Sequence, residues 1–462
     1  MRKLDLGKIA CLVAVFCIVA AVASHAQTLT TIANVGGLPY LGPLVQGRDG
    51  NFFGTTSSSG GYGGIFEVTP SGTVTVVYSF CAEVFVCPDG QTPYWGVIQA
   101  ANGNIYGTTN FGGANDGGTV FEITSGKLTT LYSFPNQGNP GGVLVQGVNG
   151  DIYGSAVNRI FSINSAGTLS TIYTFCSLPS CPDGSGPGTL VVGPGGDLYG
   201  TTGGGGAHGN GTFFKLTPAG ALTTLRSFKA AEGSGGNGLV WASDGNFYGT
   251  SRFYGSNNVG TVFQLTPTGR LTVLHNFCSE ADCADGEEPS SALVQGTDGN
   301  LYGTTPLGGT GGTGDCASHC GTAFQITTSG TLTTLYNFCS LANCADGLAP
   351  YYGLVQGTDG NFYGATYSGT VYSLSMGLGP FVKSNPTFGR AGYVVSILGS
   401  DLTGATGVTF NGVPATFTVV SGTFIKATVP SGATTGTIEV TTPSGVLSSN
   451  VAFRVEESDG SS

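Results

Sequence analysis

Four aspartates stand at equivalent places in the chain: Asp89, Asp183, Asp285 and Asp346 each precede a glycine, and each follows a close couple of cysteines. Carboxylates repeated in this way could gather a hard cation such as calcium through oxygen ligands, or line a sugar site. The same Asp-Gly pair also makes a turn, because an aspartate side chain bonds its own backbone two residues on. The recurring glycine favours the turn, while Asp89 and Asp346 remain candidate ligand contacts and calcium remains open as a cofactor. The cysteine couples are Cys81/Cys87, Cys176/Cys181, Cys278/Cys283, Cys316/Cys320 and Cys339/Cys344. Zinc sites use C-x2-4-C pairs that converge in twos. Four of these couples belong to separate repeats, so a disulfide stapling each short loop is expected instead, with no dedicated metal centre.

Other catalytic signatures are sparse. Beyond the N-terminal segment the histidines are His208, His275 and His319. His275 falls in "RLTVLHNF", where sister repeats carry Tyr or Arg, and reads as a strand residue; His208 and His319 read as loop residues. The glycine-rich "TTGGGGAHGNG" (201–211) lacks the G-x-x-x-x-G-K-[ST] pattern of a phosphate loop, and no G-x-S-x-G elbow occurs. No catalytic residue is assigned. Aromatic pairs are more suggestive: Tyr94-Trp95 and Tyr351-Tyr352 precede two of the repeats at a place where others carry "PSS" or "PGT". Tyr62, Phe111 and Tyr254 sit in glycine-rich loops. Aromatics flanked by Asp and Asn suit sugar rings or peptides, which need an apolar platform and a few hydrogen bonds. Trp241 replaces the Gln of "LVQG" and reads as a core substitution.

The elements that must position these residues are repeats. An aromatic-glycine step after an Asp/Asn turn recurs as "DGNFFGTT" (49–56), "NGNIYGTT" (102–109), "NGDIYGSA" (149–156), "GGDLYGTT" (195–202), "DGNFYGTS" (244–251), "DGNLYGTT" (298–305) and "DGNFYGAT" (359–366). One unit, 292–338, parses into the strands "ALVQG", "NLYGTT", "TAFQIT" and "TLTTLYNF", joined by tight "TDG" and "TSG" turns and one glycine-rich loop. The seventh unit stops after "TVYSLS" without its fourth strand, and "TLTTIAN" (28–34) stands alone at the other end of the repeats. The two deficits complement each other. The expected fold is all-β: a seven-bladed β-propeller over 27–379, closed by its N-terminal strand so that no sheet edge is left unpaired.

The unit "LVQGxDGNxYGTT…GGxxFxxTxxGxLTTLYxF" resembles the GloVer tandem repeat of exported bacterial proteins over about residues 28–375. That resemblance implies a repeat fold and no activity. After "MGLGP" the repeat ceases, and 380–456 carries short alternating strands separated by Gly, Pro and Asn-Gly turns. This segment resembles an IPT/TIG immunoglobulin-like domain, which implies a small β-sandwich acting as a spacer or interaction module; 457–462 is a tail.

Residues 1–26 have the three parts of a secretory signal: Arg2, Lys3 and Lys8, an apolar stretch from Ile9 to Ala23, and Ser24-His25-Ala26 as a cleavage site. The stretch is short for a membrane span, and no transmembrane segment is expected after cleavage. Cleavage leaves 12 basic against 25 acidic residues, which makes nucleic acid a poor partner. The charged fraction is only 9%, and 81 residues are glycine, a composition of turns and strands. In a four-stranded blade the second-to-third-strand loop and the link to the next blade share one face, and here those two loops carry the insertions and the cysteine couples. The sequence therefore reads as a secreted or cell-surface protein without catalysis, whose loop face engages extracellular polysaccharide or an envelope protein. The competing reading is a polysaccharide hydrolase or lyase using carboxylates over the channel.

Overall fold

The computed structural model describes residues 27–35, 41–57, 62–82, 87–310 and 320–456. The expected signal peptide, Cys316, His319 and the tail lie outside the described residues. The fold is all-β and propeller-like. Each repeat folds as an antiparallel sheet, and among the described residues seven such sheets follow one another along the chain. In the sixth, the strands are Val294–Gln295, Leu301–Thr305, Thr322–Ile326 and Leu332–Asn337, in the places read from the sequence. In the seventh, Val355–Gln356, Phe362–Ala365 and Thr370–Ser375 are joined by Thr28–Asn34, which pairs antiparallel to the last of them from Thr28 opposite Ser375 to Asn34 opposite Thr370. In the fourth unit an extra strand, Ser185–Pro187, also pairs with Leu198–Gly204.

The aromatic-glycine step has a packing cause. The second strands are buried at every residue in six of the seven units, and over Leu198–Thr202 in the fourth, because both faces are covered by neighbouring sheets. At the glycine, the ring of a third-strand aromatic crosses the strand: a Cβ at Gly303 would stand 2.6 Å from the Phe324 ring, and one at Gly107 would stand 2.4 Å from the Phe121 ring. Only glycine leaves that space. In the first six units a Phe follows the fourth strand and packs against this third-strand ring in the next unit, edge-on for Phe80 on Phe121 at 5.2 Å, Phe277 on Phe324 at 5.3 Å and Phe338 on Tyr372 at 5.0 Å. A bulge recurs between third and fourth strands, as at Ile65/Phe66 and Ala323/Phe324, and adds twist to the outer strand.

Neighbouring units are also stitched by the Gln of "LVQG". Its Oε1 accepts a backbone N–H from the preceding unit: Gln99 from Arg48 at 2.9 Å, Gln146 from Ala101 at 2.8 Å, Gln295 from Ser243 at 2.8 Å and Gln356 from Thr297 at 3.1 Å. The same link runs from the seventh unit to the first, where Gln46 accepts from Thr358 at 3.1 Å, and an apolar cluster there joins Tyr363, Ala365 and Val371 to Phe52 and Phe66. Trp241 takes the place of this Gln in the fifth unit and packs on Phe247 at 4.4 Å.

Residues 383–455 form two four-stranded antiparallel sheets over one core that includes Ile397, Phe410, Ile425 and Val440, with a short parallel pair, Phe388–Gly389 and Arg454–Val455. This module sits against the tight-turn ends of the first strands. Thr423 donates to Arg48 O at 2.8 Å, Asn385 to Gln99 O at 2.6 Å, Asn450 to Gln295 O at 3.4 Å and Lys383 Nζ to Gln356 O at 3.2 Å. Arg454 adds bonds to the carbonyls of Val192 and Gly193. The contacts reach five different units, so the module covers the repeat face opposite the long loops.

Candidate functional site

On the loop face the segment before each first strand turns inward, and all seven units contribute to one cavity of about 580 Å³. What each unit offers there differs. At the position of Tyr351 the other units carry Leu41, Tyr94, Gly141, Pro187, Gly236 and Ser290; at that of Tyr352 they carry Gly42, Trp95, Gly142, Gly188, Asn237 and Ser291. Among the described residues, the aromatic rings of the cavity therefore come from the second and seventh units alone. The first unit lies between these two, and its Gly42 is tightly enclosed: a Cβ there would stand 2.2 Å from Thr55 Oγ1 and 3.2 Å from Tyr94 O. Tyr94 and Tyr352 lie 6.1 Å apart edge-on, Tyr94 and Trp95 5.7 Å, and Tyr351 packs on Tyr367 at 5.9 Å. A second space of about 410 Å³, lined among others by Tyr94, Tyr351, Tyr352, Leu348 and Tyr367, adjoins the first.

The wall is held by its neighbours. Thr304 donates to Tyr352 O at 3.1 Å and Ser290 to Tyr351 O at 2.9 Å, while the Trp95 indole donates to Pro140 O at 3.1 Å. Burial, then the neighbouring Tyr94, push the Tyr352 hydroxyl far above the ordinary range, so it stays protonated. Much of the polar lining is likewise spent within the scaffold: Asn237 donates to Thr250 Oγ1 and Pro289 O, and Thr189 Oγ1 accepts from Val143 N. The cavity thus offers ring faces and glycine backbone more than free side-chain donors.

The sequence candidates separate on this map. Tyr94, Trp95, Tyr351 and Tyr352 come together. Asp89 and Asp346 do not join them, and among the described residues no carboxylate lines either space. Their oxygens organise the stapled loops instead. Asp89 accepts from Tyr78 OH at 2.9 Å and from Cys81 N at 3.0 Å; Asp346 accepts from Tyr336 OH at 2.7 Å and from Ser340 N and Oγ, both at 2.9 Å. Asp183 repeats the pattern with Tyr173 and Cys176. The aspartate thus caps the backbone across the loop rather than making a local Asx turn. Among the described residues no cluster of three or more His, Cys, Asp or Glu side chains could hold a metal ion. Disulfides join Cys81–Cys87, Cys176–Cys181, Cys278–Cys283 and Cys339–Cys344; Cys320 is buried, and its expected partner Cys316 lies outside the described residues.

His275 takes the tyrosine's place in the fifth unit, with Nε2 2.9 Å from Asp285 Oδ2. Burial would raise the Asp285 carboxyl, but hydrogen bonds from His275, Ser279 and Glu280 outweigh it and bring it down to about 2. His208 lies exposed in a turn, and Tyr62, Phe111 and Tyr254 are exposed on loops outside the cavity.

Sequence reasoning missed Arg252, the one charged side chain among the described residues lining either space. Its signal was its irregularity: the residues at its repeat position are Ser57, Asn110, Val157, Gly203, Arg252, Pro306 and Tyr367, so the scaffold prescribes nothing there.

No curated protein matches the chain. Among solved structures, the streptogramin B lyase structure is similar with a TM-score of 0.52 at 19% identity, over 76% of this chain and 97% of that one. The extracellular domain of a one-component system from B. thetaiotaomicron is similar with a TM-score of 0.54 at 13% identity; 91% of this chain aligns with 48% of that one, so this chain spans about half its length. At these identities the likeness is one of fold, propeller-like and all-β. The model of the Gloeobacter/Verrucomicrobia repeat matches residues 14–177 and again 157–378, and on that match across most of its length the chain belongs to the Gloeobacter/Verrucomicrobia repeat family.

Proposed function

We propose that the protein is an exported, non-catalytic binding protein: a closed seven-bladed propeller whose channel mouth receives a sugar unit of an extracellular polysaccharide, with an IPT/TIG immunoglobulin-like module over the far end. The observation that carries this reading is the aromatic wall of Tyr94, Tyr351 and Tyr352 in a cavity to which every unit contributes. Pyranose rings present apolar C–H faces that settle on such rings, and a space of several hundred Å³ suits one or two of them. Closure is supported by the pairing of Thr28–Asn34 with Thr370–Ser375 and by the Gln46 bond to Thr358. Export is supported by the disulfides, which persist in oxidising compartments. Among the described residues no carboxylate lines the mouth, which favours binding over hydrolysis, since acid-base hydrolysis of a glycosidic bond uses a carboxyl pair.

The test is pull-down of the oxidised protein on a panel of insoluble polysaccharides and cell-envelope fractions, with released sugar assayed in parallel. Retention without release, lost in Tyr351→Ala/Tyr352→Ala while the variant still unfolds cooperatively, is expected. Released sugar would install the enzyme reading, and retention unaffected by the double variant would remove the mouth as the site.

A further inference from the structure

Among the described residues the mouth carries one charged group, and its setting specifies a ligand. Arg252 follows the second strand of the fifth unit and faces both spaces, alongside Tyr94, Tyr351 and Tyr352. Its side chain is 41% exposed. Nε and Nη2 both donate to a single oxygen of Glu288, at 3.0 and 2.9 Å, and the guanidinium lies over the Phe253 ring at 5.0 Å. Glu288 itself is held by its backbone in the left-handed region, at φ 54°. The scaffold thus positions a carboxylate to orient the arginine by one edge. Among the described residues no further partner meets the guanidinium, which leaves the end-on N–H pair of its two terminal nitrogens for a bidentate acceptor.

We infer that the mouth selects an acidic sugar: a uronosyl residue, in a short oligosaccharide or at a chain end, stacks its ring on the Tyr351/Tyr352 wall and places its carboxylate on the end-on edge of Arg252. The inference rests on the glycan-binding reading above and narrows its substrate class. Two observations point to an anion. A chain with 26 acidic residues places none of them on the described lining of either space, and the one ionised group it does place there is a cation. The net charge of the whole chain does not forbid this, because charges beyond about 8–10 Å are screened at physiological salt and the local set decides. It does disfavour long polyanions, so short or terminal uronosyl units fit better.

The experiment is calorimetric titration of the oxidised protein with galacturonic and glucuronic acid trisaccharides and with their carboxyl-reduced counterparts, which keep the ring and lose the charge. Expected is binding of at least one acid trisaccharide roughly tenfold or more tighter than its reduced form. That preference should disappear in Arg252→Gln, persist in part in Arg252→Lys, and grow in Glu288→Gln as the competing carboxylate is removed. Equal binding of acid and reduced forms by the unmutated protein overturns the acidic-sugar inference and leaves the glycan-binding mouth standing. Binding of neither form, with none of the polysaccharide panel retained, overturns both. Displacement of a bound polysaccharide by a free-acid tripeptide, but by no uronate, assigns Arg252 to peptide carboxylates and overturns it as well.

Discussion

At the scale of single residues, the aspartates show how one carboxylate can be consumed by architecture. Asp285 is fully buried and holds its proton less tightly than in an unfolded chain, so it stabilises the fold above its ordinary value of 3.8. That contribution is lost as the pH falls from 3.8 through about 2, where the folded carboxyl must protonate. By linkage it amounts to about 2 kcal/mol. Asp285→Asn should therefore unfold more readily than the parent at pH 7 and approach it near pH 2, measured by urea denaturation across that range. The neighbouring tyrosines run the other way. Tyr78 and Tyr336 are pushed up to about 12 by burial and then by their aspartates, so stability they confer below pH 10 is lost as the pH climbs towards 12.

At the scale of the element, the unit depends on a glycine-aromatic fit and an amide stitch. Gly303→Ala drives a methyl into Phe324 on a strand buried throughout, with an expected cost of about 1–3 kcal/mol. Phe338→Ala removes a fully buried ring that bridges two units, at about 3–5 kcal/mol. Gln295→Ala removes the acceptor of the Ser243 N–H, which water can partly replace because Ser243 is exposed, costing about 0.5–1.5 kcal/mol. Because these changes act between units, chemical denaturation should show reduced cooperativity as well as a lower midpoint. The second and fourth strands differ for the same reason. The second strand lies between neighbouring sheets and reads as an unbroken buried run, whereas the outer Val74–Ser79 is nowhere fully buried and keeps Val76 in solvent.

At the scale of the molecule, two long-range contacts are open to test. Removal of residues 27–35 takes the fourth strand from the seventh sheet and exposes the edge of Thr370–Ser375. An exposed edge strand pairs with other chains, so the truncated protein should aggregate, and a synthetic Thr28–Asn34 peptide should restore solubility. Lys383 joins the module to the seventh unit. The residue keeps some accessible surface, but its ammonium is enclosed by protein, and that desolvation, opposed by Asp359, lowers it to about 8. Between pH 8 and 10 the unfolded chain binds the proton more tightly than the folded one, so this group adds stability as the pH rises through that window. The parent should gain thermal stability there, by on the order of 1–3 kcal/mol, relative to Lys383→Met, which lacks the proton to lose.

Local regularity carried much of this protein's description in its sequence. The four-strand unit, the missing last strand matched by a spare first one, and the close cysteine couples are all set by neighbours a few residues apart in a hairpin or by one glycine facing one ring. Those constraints recur with the repeat and can be read wherever it recurs. The candidate aromatic pairs were legible too, because they interrupt a pattern. What the tertiary structure decided is membership of the site. Tyr94 and Tyr352 lie far apart in the chain and meet because the seventh unit packs on the first. The aspartates repeat as faithfully as any ligand set, yet point back across their own loops, since the backbone amides they satisfy are created by the fold. Arg252 and the module's seat on the far face had no repeat to announce them, because a single side chain and a docking surface acquire meaning only from what distant segments bring beside them.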